Sequence, residues 1–480
     1  MIDEIPTITA YTPQGKTLVA ALRGLLRGVH LWKGKKFQHP PPYFHEDPRL
    51  FTKSDLLFFA YKYYFRPTLK SDEKAAVEDF FEQNSPIFQA KTNITNEVTL
   101  TAAGDLMPYE WIQKRFCPHL WDDIADDFFS SDLTFANLET PLDVSKPASL
   151  VPEVMLSDMN FNANEEMFEL FQATDNKQQA TRQQGVGHRG FDILSTANNH
   201  SLDMGEQGIF KTIEYLENKK IAFTGTARSP EERANFPIIE KNGIKIAFIA
   251  YTFSMNQYTN PVDKPFLVNH LEVNQPNIDL SPLKNDVVLA RERGAEFVVL
   301  SLHFSNAYQA YPNAHIVKNA QRIFDECGVD IILGGHAHNI QPMARYDFRC
   351  PFTQQQKAGL VLFAFSDFIA YDIFNGCHLS VYLKLTISKN VIARDETSLR
   401  GTKQGRGVFL SHVEAVPVYM CGVYHNKNKR DLRLLDAKKW LSKIENEGKP
   451  HFMTDWNVKE LKGLMRFYES YFGKNLGQEK

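Results

Sequence analysis

The sequence has few cysteines, no long apolar run and no strong excess of charge. Its five cysteines are scattered without a Cys-x-x-Cys pair, which is typical of reduced thiols rather than of a disulfide framework. No apolar run reaches the roughly 18 residues of a spanning helix, and residues 1–16 lack the pattern of a signal peptide. A net charge of −3 argues against a nucleic-acid partner. We therefore expect a cytoplasmic protein without a membrane-spanning segment.

The 480 residues exceed one typical domain, and their patterns divide the chain into three parts. We predict a mostly helical N-terminal extension over 1–95, a central domain over 96–395, and a C-terminal extension of strand and helix over 396–480. Within the first part, residues 16–36 hold six basic residues and no acidic one, with leucines at helical spacing. We expect this helix to pack on the central domain, and binding to a membrane surface is the alternative.

The central part alternates β-rich runs with helical stretches, which predicts an α/β fold with layered sheets and helices outside. Strands are predicted over 98–103, 133–136, 191–197, 221–224, 245–253, 296–303, 330–333 and 359–365. Helices are predicted over 54–65, 71–84, 121–129, 205–219, 313–327, 432–446 and 457–472, with one further strand over 409–424. The polar, Gln-rich residues 174–187 predict an inserted surface loop, or alternatively a lid over the site.

Short motifs of metal-ligand residue types follow four of these predicted strands. They are GD (Asp105), ANNH (Asn199, His200), LSLH (His303) and GGHAH (His336, His338). Each motif alone also has a structural explanation, because Asp after Gly forms turns and Asn-Asn-His can cap a helix. Together they are more specific, since open α/β sheets place their ligands at strand ends. The imidazoles favour Mn, Zn or Fe over Mg or Ca.

In motif order the chain resembles the CapA-type branch of the calcineurin-like metallophosphoesterases. The segments that carry the resemblance are TAAGDLM, FANLETPL, STANNHSLDMGEQGI, FTGT, LSLHF and GGHAHNIQP, within residues 97–395. The resemblance implies a layered metallophosphoesterase sandwich with two divalent transition-metal ions (Mn, Zn or Fe). The implied metal ligands are Asp105, Glu139, Asn199, His303, His336 and His338.

The resemblance also assigns roles within this set. Asp105 and His338 are implied to bind one ion, His303 and His336 the second, and Glu139 to bridge the two. Asn199 would offer a neutral oxygen. Met107 stands where many members of the superfamily carry a second ligand, histidine, so one ion is expected to have a poorer ligand set.

The remaining candidates face the substrate in this interpretation. His200 is implied to be the catalytic residue, donating or accepting a proton, and Asp203 to fix its tautomer. A purely structural histidine held by Asp203 is the alternative. Asn198, Asn306 and Asp367 are predicted to bind substrate.

Three functions follow from these residues. The first is a hydrolase with a dinuclear site that cleaves an anionic phosphoester or a peptide or γ-glutamyl bond through a metal-bound hydroxide. The second is a metal-dependent isomerase or epimerase that removes an α-proton from a peptide. The third is a non-catalytic binding scaffold. For the two enzymes we expect an anionic small molecule or peptide as substrate.

Overall fold

The structure is a computed structural model that describes residues 10–72, 77–88, 93–156, 160–173, 190–391 and 406–471. Two β-sheets face each other with helices around them, which confirms the predicted layered α/β fold. The insertion predicted over 174–187 lies outside the described residues.

The first sheet has eight strands, β1 (Ile94–Leu106), β2 (Leu133–Leu138), β3 (Ile193–Ser195), β4 (Ala222–Thr224), β11 (Asp367–Ile369), β12 (Leu379–Val391), β13 (Arg406–Asn426) and β14 (Lys429–Asp436). Their order is β14-β13-β12-β1-β2-β3-β4, and β11 pairs with β1 beside this path. Strands β1 to β4 are mutually parallel, whereas β12, β13 and β14 continue the sheet in antiparallel pairs. Part of the C-terminal extension therefore belongs to this sheet.

The second sheet has six strands, β5 (Ile238–Lys241), β6 (Ile244–Thr252), β7 (Phe297–His303), β8 (Ile331–Gly335), β9 (Ile340–Arg349) and β10 (Gln356–Phe365). Their order is β5-β6-β7-β8-β10-β9. The neighbouring strands β6, β7, β8 and β10 are parallel, so their carboxyl ends lie at one edge.

The core between the sheets is built from alternate residues of the facing strands. Val98 and Leu100 of β1 and Ile246 and Phe248 of β6 belong to one fully buried cluster. Alternate side chains of a strand point to the same face, so this spacing aims one set of apolar residues at the opposite sheet. Phe135 and Phe248 stack across the interface with ring centroids 6.2 Å apart.

Helices surround the sandwich. They are α1 (Pro13–Lys33), α2 (Lys53–Tyr64), α3 (Val77–Gln83), α4 (Ala125–Phe128), α5 (Glu165–Phe171), α6 (Gly205–Lys219), α7 (Pro230–Ala234), α8 (Ser281–Glu292), α9 (Ala314–Arg322), α10 (Ala437–Glu447) and α11 (Asp455–Tyr471). Short 3₁₀ turns cover Lys36–Gln38, Pro48–Leu50 and Asn375–His378, and a π-turn over Ile323–Cys327 extends α9. Within the described segments, no helix combines the length and apolar character needed to cross a bilayer.

Several predicted boundaries were wrong, and tertiary pairing explains the largest error. The helix predicted over 432–446 begins only at Ala437, because Lys429–Asp436 forms β14 against β13. Asp436 then caps α10, its carboxylate accepting from the amide of Lys439 at 3.0 Å. The helix predicted over 121–129 is a single turn, and the strand predicted over 191–197 shortens to Ile193–Ser195. The predictions omitted β5, β9, β11 and β12.

Both chain extensions are joined to the sandwich by buried polar contacts. The hydroxyl of Tyr63 on α2 donates to Asp372 at 2.9 Å. On the other side, Glu460 of α11 accepts from Tyr419 at 2.6 Å and lies 2.9 Å from the Nδ1 of His378. Helix α1 packs Leu26 against α2 within the N-terminal extension, and its Val19 joins a buried cluster with Ala307 and Ile373 of the central domain. Its Leu25, Leu31 and Trp32 are exposed.

Candidate metal centre

The candidate ligands lie where strands of both sheets end. Asp105 is near the end of β1, Glu139 follows β2, His303 ends β7, and His336 follows β8. All four side chains are buried. The carboxyl ends of the parallel strands therefore bring together residues that are far apart in the sequence.

Two clusters of ligand atoms share one carboxylate. Asp105, His338 and Asp367 form the first, and Asp105, Glu139 and His303 form the second, with the ligand atoms of each cluster within 4.8 Å of one another. Asp105 is thus common to both clusters, and Glu139, which the resemblance implies to bridge the ions, belongs to the second cluster.

Asp367, predicted to bind substrate, is part of the first cluster. It enters through β11, whose pairing places Asp367 beside Asp105. Its Oδ1 lies 2.8 Å from Nδ1 of His338, and its Oδ2 is buried without a hydrogen-bond partner. Carboxylate and imidazole together form a donor set that suits a transition metal.

The buried carboxylates leave acceptor capacity that a cation would satisfy. Neither carboxylate oxygen of Glu139 has a hydrogen-bond partner, and the same holds for Oδ2 of Asp367 and Nδ1 of His336. Burial and the neighbouring charges of Asp105 and Asp367 raise the pKa of Glu139 well above its usual value. Unpaired buried polar atoms are costly, so these residues fit bound divalent cations.

The imidazoles differ in protonation. Burial, with the nearby His336 and His338, holds the pKa of His303 well below its usual value, so its ring is neutral and able to act as a ligand. Burial also acts to lower the pKa of His338, but the carboxylates of Asp367 and Asp105 outweigh it and raise that pKa to about 9. Without a cation, His338 and Asp367 therefore form an ion pair at neutral pH.

The backbone around the centre is tightly constrained. A Cβ atom added at Gly335 would lie 2.8 Å from Oδ1 of Asp105 and 3.0 Å from Nδ1 of His303. His336, His338 and Ser366 have φ values of 82°, 55° and 76°, in the left-handed region that side chains other than glycine rarely adopt. Such conformations cluster at functional sites, where the surrounding structure enforces them.

Three asparagines form a hydrogen-bonded network beside the second cluster. The Oδ1 of Asn199 lies 2.9 Å from Nε2 of His303. Asn198, predicted to bind substrate, instead donates its amide to the carbonyl of Leu138 at 2.8 Å and to Asn137. Asn137 in turn donates to Oδ1 of Asp105 at 2.8 Å. Asn198 is therefore fully buried, with its side chain inside this network.

His200 is held at the edge of the centre by Asp203. Its Nδ1 lies 2.7 Å from Oδ2 of Asp203, and its ring stacks on Phe161 with centroids 3.9 Å apart. The same Oδ2 accepts from the amide of Phe161 at 2.6 Å. These contacts fix the orientation of the imidazole and engage its Nδ1.

Asn306, the third predicted substrate residue, lies outside both clusters. Its side chain is fully buried, donating to the carbonyl of Phe44 at 2.8 Å and accepting from the amide of Asn313 at 2.9 Å. It therefore fixes the N-terminal segment against the central domain.

Two residues of the centre, Asn137 and Glu46, were not predicted from the sequence. Asn137 stands two positions before Glu139, and because side chains of a strand alternate, that spacing could have revealed it. Glu46, from the N-terminal extension, carries no such signal, yet its Oε2 lies 3.2 Å from Nε2 of His336. Burial raises the pKa of Glu46, but Lys62 and His336 outweigh it and hold that pKa below its usual value.

The fold and the site define an α/β sandwich protein with two clusters of candidate metal ligands at its strand ends. Within this class, the family model described as "Bacterial capsule synthesis protein PGA_cap" matches residues 99–372, and the chain belongs to that family. This match confirms the family resemblance seen in the sequence.

Two named relatives share this part of the chain. The capsule biosynthesis protein CapA of Bacillus anthracis is 21% identical over 301 residues, which is 60% of this chain and 63% of that protein. The PGA biosynthesis protein CapA of Bacillus subtilis (strain 168) is 21% identical over 265 residues, 54% of this chain and 62% of that protein. The chain thus spans less than two thirds of the length of either relative.

The chain is also similar to solved structures. One is the sulfate thiohydrolase SoxB of Thermus thermophilus in complex with glycerol, with a TM-score of 0.33, 12% identity and coverage of 79% of this chain and 62% of that chain. Another is the calcineurin-like phosphoesterase YfkN of Bacillus subtilis, with a TM-score of 0.33, 10% identity and coverage of 78% of this chain and 98% of that chain.

Proposed function

We propose that the chain is a metal-dependent hydrolase with two divalent transition-metal ions (Mn, Zn or Fe) at the strand ends. The observation that carries this proposal is the shared position of Asp105 between two largely buried clusters, each of which adds a carboxylate and an imidazole. A shared carboxylate is the arrangement that two-metal hydrolytic sites use to hold neighbouring ions.

The ligands divide between two sites. Asp105, His338 and Asp367 would hold one ion, and Asp105, Glu139 and His303 the other, with the amide oxygen of Asn199 beside His303. His336 is in neither cluster, but its buried Nδ1 has no hydrogen-bond partner, and we propose that this atom completes the ligand set of the second ion, as the resemblance implies. When bound, such ions lower the pKa of a coordinated water and polarise the bond to be cleaved.

His200 is proposed as the proton-transfer residue. Asp203 holds its Nδ1, so Nε2 is the nitrogen able to pass a proton to a leaving group. Stacking on Phe161 keeps the ring in a single orientation. Preorganisation of this kind reduces the cost of reaching the reactive geometry.

The substrate is proposed to be an anion, either a phosphoester or a peptide or γ-glutamyl chain. Two divalent ions carry more positive charge than the ligand carboxylates Asp105, Glu139 and Asp367 neutralise, so the centre would attract a further anion. One relative is named for PGA biosynthesis, which supports testing γ-glutamyl chains among the first substrates.

A substrate screen with a matched variant tests this proposal. Protein loaded with Mn²⁺ or Zn²⁺ is incubated in deuterated water with generic phosphoesters, γ-glutamyl peptides and peptides with free C-termini, and Asp105→Asn is treated in parallel. We expect metal-dependent cleavage of a phosphoester or γ-glutamyl substrate by the wild type alone. Deuterium at an α-carbon without cleavage would instead favour the isomerase, and inactivity of the metal-loaded protein the binding scaffold.

A further inference from the structure

The N-terminal extension inserts one carboxylate next to a candidate metal ligand. Glu46 lies in the segment before α2 with a left-handed φ of 61°, and its side chain is buried in the central domain. Its Oε2 accepts from the amide of Ala307 at 2.5 Å and lies 3.2 Å from Nε2 of His336. The family match begins at residue 99, so this contact comes from outside the matched region.

A buried lysine holds the other oxygen of this carboxylate. Lys62 of α2 forms an ion pair with Oε1 of Glu46 and donates to Gln309 at 3.2 Å. Its ammonium also lies 4.6 Å from the ring centroid of Phe44 and 5.4 Å from that of Phe58. A buried charge with a partner and cation–π contacts on several sides has one preferred position, so Lys62 fixes the orientation of Glu46.

The contact with Glu46 distinguishes the two nitrogens of His336. A carboxylate only accepts, so the Nε2 beside Glu46 carries the hydrogen. In the neutral ring Nδ1 then has the lone pair, and Nδ1 is the atom that is buried without a hydrogen-bond partner. In metalloproteins a carboxylate that accepts from one ring nitrogen typically prepares the other for the metal.

We propose that Glu46 is a positioning residue of the metal centre, holding His336 in the tautomer whose Nδ1 is free for a metal ion. The N-terminal extension is then part of the centre rather than an accessory segment. This inference rests on the proposed function, because it takes His336 as a metal ligand.

The informative substitution is Glu46→Gln, which keeps the shape of the side chain and removes its charge. Lys62 donates to one oxygen of Glu46 and the amide of Ala307 to the other, but Lys62 carries a charge, so the glutamine oxygen is expected to stay with Lys62 and to give up the hydrogen bond from Ala307. The amide NH₂ then faces Nε2 of His336. Nε2 must accept in that arrangement, which moves the hydrogen to Nδ1 and blocks the metal-binding lone pair. Asp47→Asn is the matched control, because the neighbouring Asp47 pairs with Arg49 and does not touch His336.

Two measurements on the full chain test the proposal. Nitrogen-15 NMR of histidine-labelled, metal-free protein reports the tautomer of His336, whose signal is assigned by its loss in His336→Gln. Titration calorimetry with Mn²⁺ alone reports affinity. We expect Glu46→Gln to shift the tautomer and weaken Mn²⁺ binding by about 10–100-fold, and Asp47→Asn to change neither.

The proposal is overturned if folded Glu46→Gln keeps both the tautomer and the Mn²⁺ affinity of the wild type, or if Asp47→Asn weakens binding equally. If Glu46→Gln does not fold, Glu46→Leu/Lys62→Met is measured in its place, because it removes the lysine charge together with the carboxylate and leaves Nε2 of His336 without its acceptor. A wild type that binds no metal contradicts the proposed function, and the tautomer measurement then still decides the role of Glu46.

Discussion

Metal binding to this centre is expected to release a proton from His338 and therefore to strengthen as the pH rises. The carboxylates of Asp367 and Asp105 raise the pKa of His338 to about 9, against the effect of burial, so the metal-free imidazole is protonated at pH 7. A histidine must lose that proton to become a ligand. Affinity should thus increase up to the pKa of about 9 and level off above it.

The size of this change in metal affinity with pH follows from the release of one proton for each ion bound through His338. Each pH unit below the pKa costs about 1.4 kcal/mol, so affinity should rise roughly 30-fold between pH 6.5 and 8. The pKa of Glu139 is also raised, so where Glu139 is neutral it releases a second proton on metal binding, and the affinity then rises more steeply with pH. The same His338 shift stabilises the metal-free fold below the ordinary histidine pKa, and this contribution is lost as the pH rises through about 9.

Titration calorimetry with Mn²⁺ in two buffers of different ionisation enthalpy counts the protons released. We expect the wild type to release one proton more than His338→Gln at pH 7, because that variant lacks the titrating group. Equal proton release by the two proteins, or an affinity of the wild type that does not change with pH, would refute the assignment of His338.

Three further predictions concern single substitutions. Asp105→Asn should lose bound metal, measured by elemental analysis, while circular dichroism shows an intact fold; retention of both ions would contradict its shared position. His200→Ala should keep its metal content but lose turnover by about 10²–10⁴-fold in a steady-state assay, and loss of metal would instead make His200 a ligand. Tyr63→Phe removes the hydrogen bond to Asp372 and should lower the free energy of unfolding by about 1–3 kcal/mol in urea denaturation; no change would mean that α2 is held by other contacts.

The sequence was most informative where function depends on strand ends. Asp105, His303 and His338 each follow an apolar run, and the edge shared by parallel strands predicts that such residues meet. Their convergence could therefore be predicted from spacing and motif order alone. The two-sheet α/β fold followed in the same way from the alternation of strands and helices.

What the sequence did not reveal depends on pairing between distant segments. Asp367 reaches the first cluster because β11 pairs with β1, and no local pattern encodes that pairing. Glu46 reaches His336 through the packing of the N-terminal extension. Residues 432–436 were wrongly placed in a helix, because a short apolar run fits either structure until its partner β13 is known.

Anomalous X-ray diffraction from crystals of Mn²⁺-loaded protein, recorded at the manganese edge, tests the central proposal of a dinuclear centre most directly. We predict two peaks, one between Asp105, His338 and Asp367 and the other between Asp105, Glu139 and His303. A single peak in saturated crystals would contradict the dinuclear proposal, and the absence of any peak among these residues would contradict the metal centre itself.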